Sequence, residues 1–251
     1  MNFLANQSKI KLIALDMDGT LLNDDGKVSE TNRKAIIDAQ SNGVYVICST
    51  GRSILTSRDH VVDLGLNSYH ITVNGSEIWD QKGELLHRKG VPTDHIQWMY
   101  NLALKYQTKF WATATNKVWR REMPQDIENH SWLKFGFEIP EEEIRQTILL
   151  HLKEKAELFE ISNSSPVNIE VNAKGVNKSI AIEQVCDRLG LVMSEVMAVG
   201  DSINDLAMIQ SAGIGVAMGN AQETVKNKAD WVTFTNNEDG VAHAIRTWVL
   251  S

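Results

Sequence analysis

The sequence predicts an α/β protein built on a doubly wound parallel sheet, with a smaller α+β module inserted into it. Three observations carry that expectation. Short apolar runs alternate with helical patterns in both flanks of the chain, the order expected of parallel strands joined by crossover helices. All four prolines and ten of the seventeen aromatic residues fall between positions 92 and 166. Charge divides in the same way: residues 87–167 hold 11 Lys and Arg against 11 Asp and Glu, so the rest of the chain carries the whole net charge of −7. The expected organisation is a core in two segments, 1–86 and 168–251, with a cap module over 87–167.

In the first segment, KLIALD (11–16) is a strand ending in turn residues. Ser29 caps a helix that turns Ala35, Ile36, Ile37 and Ala39 toward one side. VYVICS (44–49) is the second strand, 53–64 a helix, and YHITV (69–73) the third strand. The insert reads as a strand over 85–90, a helix opened by Thr93, and two strands over 109–122 joined at Thr115–Lys117. A helix follows from Pro140, with Glu141, Glu142 and Glu143 in its first turn and Lys153 and Lys155 near its end, matching the helix dipole. Strands over 157–162 and 167–172 lead back to the core. The second segment then gives a helix closed by Gly190, a strand EVMAVGD, a helix over 203–211, a strand GIGVAM, a short helix near 221–227 and a last helix over 239–249.

With 251 residues, 43% hydrophobic and 23% charged, the chain has the composition of a folded globular protein rather than a disordered one. Its acidic balance offers no footprint for a phosphate backbone or an anionic membrane surface, so neither nucleic acid nor membrane is an expected partner. No run of about 18 apolar residues occurs that could span a bilayer. The opening MNFLANQSKIKLIAL lacks the organisation of a secretory leader, which makes a cytoplasmic location the expectation. Cys48 and Cys186 read as buried free thiols.

The chemistry gathers at strand ends. Asp16 closes the first strand and Asp18 follows two residues later, so both carboxylates point to one side while the backbone stays extended. Gly19 then allows a sharp turn. The second strand ends in Thr50-Gly51-Arg52, a hydroxyl and a glycine amide at a helix entrance where a phosphate oxygen could sit. Another strand ends in Asp201-Ser202-Ile203-Asn204-Asp205. In a doubly wound sheet these ends share one edge, where ligands bind. Like charges gathered there repel by about 4 kcal/mol per pair at 4 Å and an effective dielectric near 20. A cation is therefore expected, and Mg2+ fits, because it takes carboxylate oxygens and leaves positions for phosphate. Lys178 could supply a second positive charge. Each residue also has a structural alternative: Thr50 could cap its helix, Lys178 could be a solvated lysine, and Asn204 and Asp205 could serve only their own first turn.

Asp16-Met17-Asp18-Gly19-Thr20-Leu21, Thr50-Gly51-Arg52, Lys178 and Gly200-Asp201-Ser202-Ile203-Asn204-Asp205 resemble, in order, the four motifs of the haloacid dehalogenase superfamily of phosphatases. The insert, together with Val73-Asn74-Gly75 and Ala217-Met218-Gly219-Asn220-Ala221, resembles its Cof-type branch, whose Rossmann-like core carries an α/β cap. Ser49 and Ser179 stand where that branch commonly has alanine and glycine.

The resemblance implies a magnesium-dependent phosphatase of small phosphorylated metabolites, sugar phosphates above all. It implies Asp16 as nucleophile forming an aspartyl phosphate and Asp18 as general acid and base. Phosphoryl oxygens would be held by Met17, Thr50, Gly51, Lys178 and Asn204, and Mg2+ by Asp16, Asp18, Asp201 and Asp205. A monomer or weak dimer is the expected assembly. The alternatives are a sugar phosphomutase or phosphotransferase on the same core, and a non-enzymatic phospho-acceptor switch. The cap is expected to close over the site, with most of its aromatic rings forming its own core and one or two reaching substrate.

Overall fold

The computed structural model describes residues 10–66 and 68–251; the first nine residues, on which the reading of a missing leader partly rests, lie outside them. Eight strands form the larger sheet: β1 (Leu12–Leu15), β2 (Tyr45–Ser49), β3 (His70–Thr72), β4 (Glu77–Trp79), β5 (Leu85–Arg88), β11 (Val196–Gly200), β12 (Ile214–Ala217) and β13 (Trp231–Val232). Their order is β13-β12-β11-β1-β2-β3-β4-β5. The six strands from β13 to β3 run parallel, and β4 and β5 add an antiparallel edge. Successive residues of β1 serve opposite faces: Ile13 and Leu15 pack with helices α1 (Glu30–Ser41) and α8 (Gly240–Trp248), Leu12 and Ala14 with α5 (Lys178–Leu189) and α6 (Leu206–Ser211). Burial on both faces is why these strands read as continuous apolar runs.

Capping chemistry fixes the helix ends as the sequence suggests. The Ser29 side chain accepts from the Asn32 N–H, Asn177 accepts from the Ile180 N–H, and Gly190 closes α5 in the left-handed conformation. Helix α2 (Ile54–Asp63) follows β2, and the short α7 (Glu223–Lys226) follows β12. Both cysteines are free and buried. Burial pushes the Cys48 thiol up to about 12 and that of Cys186 to about 11, which leaves neither as a nucleophile at neutral pH.

The second sheet is antiparallel, in the order β7-β6-β8-β10-β9. It comprises β6 (Lys109–Ala114), β7 (Val118–Arg120), β8 (Trp132–Glu138), β9 (Phe159–Ser162) and β10 (Asn168–Ala173). Phe110, Ala112, Phe135, Phe137, Ile169 and Val171 point to one face, into an apolar cluster with α3 (Thr93–Lys105) and α4 (Glu142–Lys153). The alternate residues, Trp111, Thr113, Lys134, Glu138, Asn168 and Glu170, line a cavity shared with the larger sheet's strand ends. Period-two alternation thus turns this sheet into a roof, apolar above and mainly polar beneath.

Sheet membership corrects the expected boundaries at both ends of the insert. The strand expected to open the cap is β5, which belongs to the larger sheet, where Arg88 pairs with the buried Glu77 at 2.6 Å. The strand expected over 167–172, divided from the cap at residue 167, is β10. Its pairing with β8 and β9, and its Ile169 and Val171 in the aromatic core, make it part of the roof. Pro and aromatic residues mark the bulk of the insert but not its terminal strand. Strands β4, β8 and β13 are additions to the expected elements. In β8, Gly136 weakens the strand signal, although Leu133, Phe135 and Phe137 alternate with Lys134, Gly136 and Glu138.

Candidate active site

The loops after β11, β1 and β2 are neighbours because those three strands are adjacent at the sheet's centre. Their side chains meet at the floor of a cavity of about 550 Å3 lined by Asp16, Asp18, Gly51, Asp201 and Asn204 below and the polar face of the roof above. That volume lies within the usual range of small-molecule sites, roughly 300–1,000 Å3.

Lys178 is fully buried, and its ammonium lies 2.5 Å from Asp16 Oδ1 and 2.6 Å from Asp205 Oδ1. Burial opposes its charge, but the two carboxylates outweigh that and raise its pKa above the usual lysine value. Both Asp205 oxygens are engaged: the second accepts from the Asp201 and Ser202 N–H groups, both at 3.0 Å. It therefore shapes the 201–205 loop and presents Lys178 to Asp16. Burial, and then the charge of Asp205, push the Asp16 carboxyl well above the usual range. The same two causes push Asp201 up to about 7.

The remaining expected residues divide by position. Met17 turns its side chain into the apolar core, so only its main chain can face a ligand. Thr50 is buried behind the cavity and its hydroxyl accepts from the Arg52 N–H at 3.1 Å. Asn204 donates to Asn74 Oδ1 at 3.3 Å, while its own Oδ1 is buried without a partner among the described residues. Asp18 is exposed and held by Arg52 through two contacts of 2.5 and 2.8 Å. In the sequence Arg52 is legible only as the last residue of Thr50-Gly51-Arg52, with nothing to pair it with Asp18.

An acidic floor of this kind suits a hard divalent cation. Carboxylate oxygens of Asp16, Asp201 and Asp205 lie within 4.8 Å of one another. Lys178 contributes one positive charge, and Arg52 is committed to Asp18. Gly19 lets the loop after β1 approach closely: its φ is +75°, and a Cβ there would fall 2.7 Å from Asp201 Oδ2. The oxygen donors and the excess negative charge fit Mg2+.

A second buried network ties the roof to the floor. Lys134 bonds Glu170 and the Gly51 carbonyl oxygen, both at 2.9 Å. Asn74 donates to Glu170 at 2.6 Å and accepts from Asn204, and Ser164 donates to the other Glu170 oxygen. Asn74 reaches this position from a strained turn, in which Val73, Asn74 and Gly75 have φ of 52°, 59° and 101°. A β-branched residue in that region is a genuine outlier, and such strain concentrates at sites where surrounding contacts enforce it. Of these residues, the sequence analysis quotes Asn74 only within a motif and does not single out Lys134 or Glu170. Their alternation with Phe135 and Ile169 is the signal that places them on the opposite face.

The network makes a prediction. Burial would raise the Glu170 pKa, but Lys134 and its hydrogen-bond donors hold it below the usual 4.5. Its stabilising contribution is therefore complete above pH 4.5 and lost as pH falls through the lowered folded value. Glu170→Gln is expected to cost about 1.5–3 kcal/mol near neutrality and to flatten the acid limb of stability. Urea midpoints measured from pH 3 to 6 test this; an unchanged slope would count against the assignment.

Acids at the carboxyl edge of a parallel sheet, roofed by the polar face of a second sheet, define the class: a capped α/β hydrolase. A family model for haloacid dehalogenase-like hydrolases matches residues 13–147 and 121–245. The chain is 58% identical over 241 residues to 5-amino-6-(5-phospho-D-ribitylamino)uracil phosphatase YcsE of Bacillus subtilis (strain 168), covering 96% of each. It is 30% identical to phosphatase YwpJ of the same organism, covering 94% of this chain and 99% of that one. A haloacid dehalogenase-like hydrolase structure from B. subtilis superposes with a TM-score of 0.86 at 26% identity, covering 94% of this chain and 99% of that one. The chain belongs to the haloacid dehalogenase superfamily, in its Cof-type branch, and is a phosphatase. Among the described residues no helix is long and apolar enough to cross a membrane.

Proposed function

We propose that the protein is a magnesium-dependent phosphatase acting through an aspartyl phosphate on Asp16, with a phosphorylated ribityl chain on an aminouracil as substrate. The observation that carries the chemistry is the Asp16–Lys178–Asp205 chain at the floor of a roofed cavity. The relative at 58% identity supports the substrate through its name, which narrows the broader expectation of sugar phosphates.

In the first half-reaction an Asp16 oxygen attacks phosphorus as the bond to the leaving oxygen breaks, and Asp18 protonates that oxygen. For this, Asp18 exchanges its contact with Arg52 for one with the leaving group. In the second, Asp18 takes a proton from the water that attacks phosphorus, releasing inorganic phosphate and restoring Asp16. The Met17 main chain, Gly51 and Asn204 hold the phosphoryl oxygens, while Thr50 supports the loop from behind and Lys178 offsets charge on Asp16. The Asp16 and Asp201 carboxylates and the Asp18 main-chain oxygen would hold magnesium, which would supply charge neutralisation for the phosphoryl group. Asp205, with both oxygens engaged, positions Lys178 and the loop.

Purified protein is expected to release phosphate from the phosphorylated ribitylaminouracil with Mg2+ present and to lose that activity in excess EDTA. Phosphate release that persists under chelation would remove the metal from the scheme. Absence of release across a broad panel of monoesters would remove the whole reading.

A further inference from the structure

We propose that Trp111 is a stacking platform for a planar ring in the leaving group, with Arg120 beside it to meet the ring's carbonyl edge. This rests on the phosphatase reading above. It assigns the substrate's far end to two residues of the roof.

Trp111 differs from every other aromatic residue of the insert. Phe110, Trp132, Phe135, Phe137 and Phe159 are buried in the cap's apolar cluster, and Trp98, Tyr100, Tyr106 and Trp119 pack against it. Trp111 points the other way, into the cavity it shares with Asp16. Its cross-strand partner on β8 is Gly136. A Cβ at Gly136 would fall 2.2 Å from indole Cε2 and Cζ2 and 2.6 Å from Cδ2. The ring therefore rests on bare backbone, in space that only a glycine leaves.

Beyond the Gly136 backbone, no ring or cation among the described residues covers the Trp111 indole. Trp119 carries the Lys117 ammonium over its ring at 3.5 Å, and Trp98 stacks on Phe159. Among the described residues Trp111 has no ring or cation contact of this kind. Its neighbour across β7 is Arg120, which lines the same cavity and is exposed. The Arg120 side chain has no hydrogen-bond or carboxylate partner among those residues. A half-buried indole and an unpaired guanidinium side by side suit a flat, carbonyl-bearing heterocycle, stacked on the one and hydrogen-bonded by the other. An acyclic polyol has no flat face to stack on the indole.

The test uses two monoesters that share a phosphorylated ribityl chain and differ in the ring: 5-amino-6-(5-phospho-D-ribitylamino)uracil and ribitol 5-phosphate. Trp111→Ala is expected to lower the preference for the ring-bearing compound, taken as the ratio of kcat/KM values, by about tenfold, chiefly through KM. Trp111→Phe should restore most of it. Gly136→Ala, which keeps the tryptophan but displaces it, should reproduce the loss. Equal losses on both compounds, or an unchanged ratio, would overturn the platform. Calorimetric binding of the ring-bearing compound to Asp16→Asn protein, with and without Trp111→Ala, separates this from the phosphatase reading. Binding about tenfold weaker upholds the platform even if turnover fails, and equal affinity overturns it even if turnover succeeds.

Discussion

Replacing Asp16 with asparagine is expected to lower phosphate release by about 10^4-fold or more, the scale on which removal of a covalent nucleophile acts, while leaving the protein folded. An amide of the same shape keeps the side chain in place but offers no carboxylate to attack phosphorus. The fold should tolerate the change because Asp16 is one of three acids whose carboxylate oxygens lie within 4.8 Å, and neutralising it removes repulsion. Lys178 keeps Asp205 at 2.6 Å as its counter-charge. Thermal melting should therefore show a midpoint close to or above that of the unaltered protein. Single-turnover assays with purified variant decide the matter: activity within tenfold of the unaltered enzyme would show that Asp16 is not the nucleophile.

Lys178→Met is expected to be the most destabilising single change at the site, costing about 3–5 kcal/mol. Methionine keeps an unbranched apolar stem as far as the Cε position but has no ammonium. Its introduction leaves the Asp16, Asp201 and Asp205 carboxylates facing one another with no ammonium between them. Activity should fall with stability, since the charge beside the proposed nucleophile Asp16 disappears as well. Added Mg2+ should narrow the stability difference by supplying positive charge at the same acids. Denaturant titrations with and without Mg2+ measure both effects, and a loss below about 1 kcal/mol would mean that the buried pairs contribute little.

The central strands were legible because burial on both faces writes them as unbroken apolar runs, and the residues that follow them, Asp16, Thr50 and Asp201, stand at the ends of those runs. Asp205 and Lys178 were legible as charges that needed partners, but not as partners of each other, since they come together only when α5 packs beside the β11 loop. The roof was harder to read. Lys134 and Glu170 are 36 residues apart, each alternates with apolar neighbours, and a polar residue in that pattern reads equally well as facing solvent. Arg52 was hidden for a related reason: its contact with Asp18 joins two loops that meet only through the pairing of β1 with β2. The strand expected over 167–172 was legible as a strand but not as part of the insert, because β10 contains neither proline nor an aromatic ring, the features that mark the rest of it.

The alternation of the roof sheet separates two demands that often compete. Its upper face holds the insert together through Phe110, Phe135, Phe137 and Val171. Positions 111, 113, 120, 138 and 168 occupy the lower face and contribute little to that aromatic core. Substitutions there can accumulate without unfolding the cap, whereas loss of Lys178 strips buried acids of their counter-charge. A lineage carrying this architecture is thus free to explore new alcohols on one surface while the phosphorus chemistry beneath stays fixed.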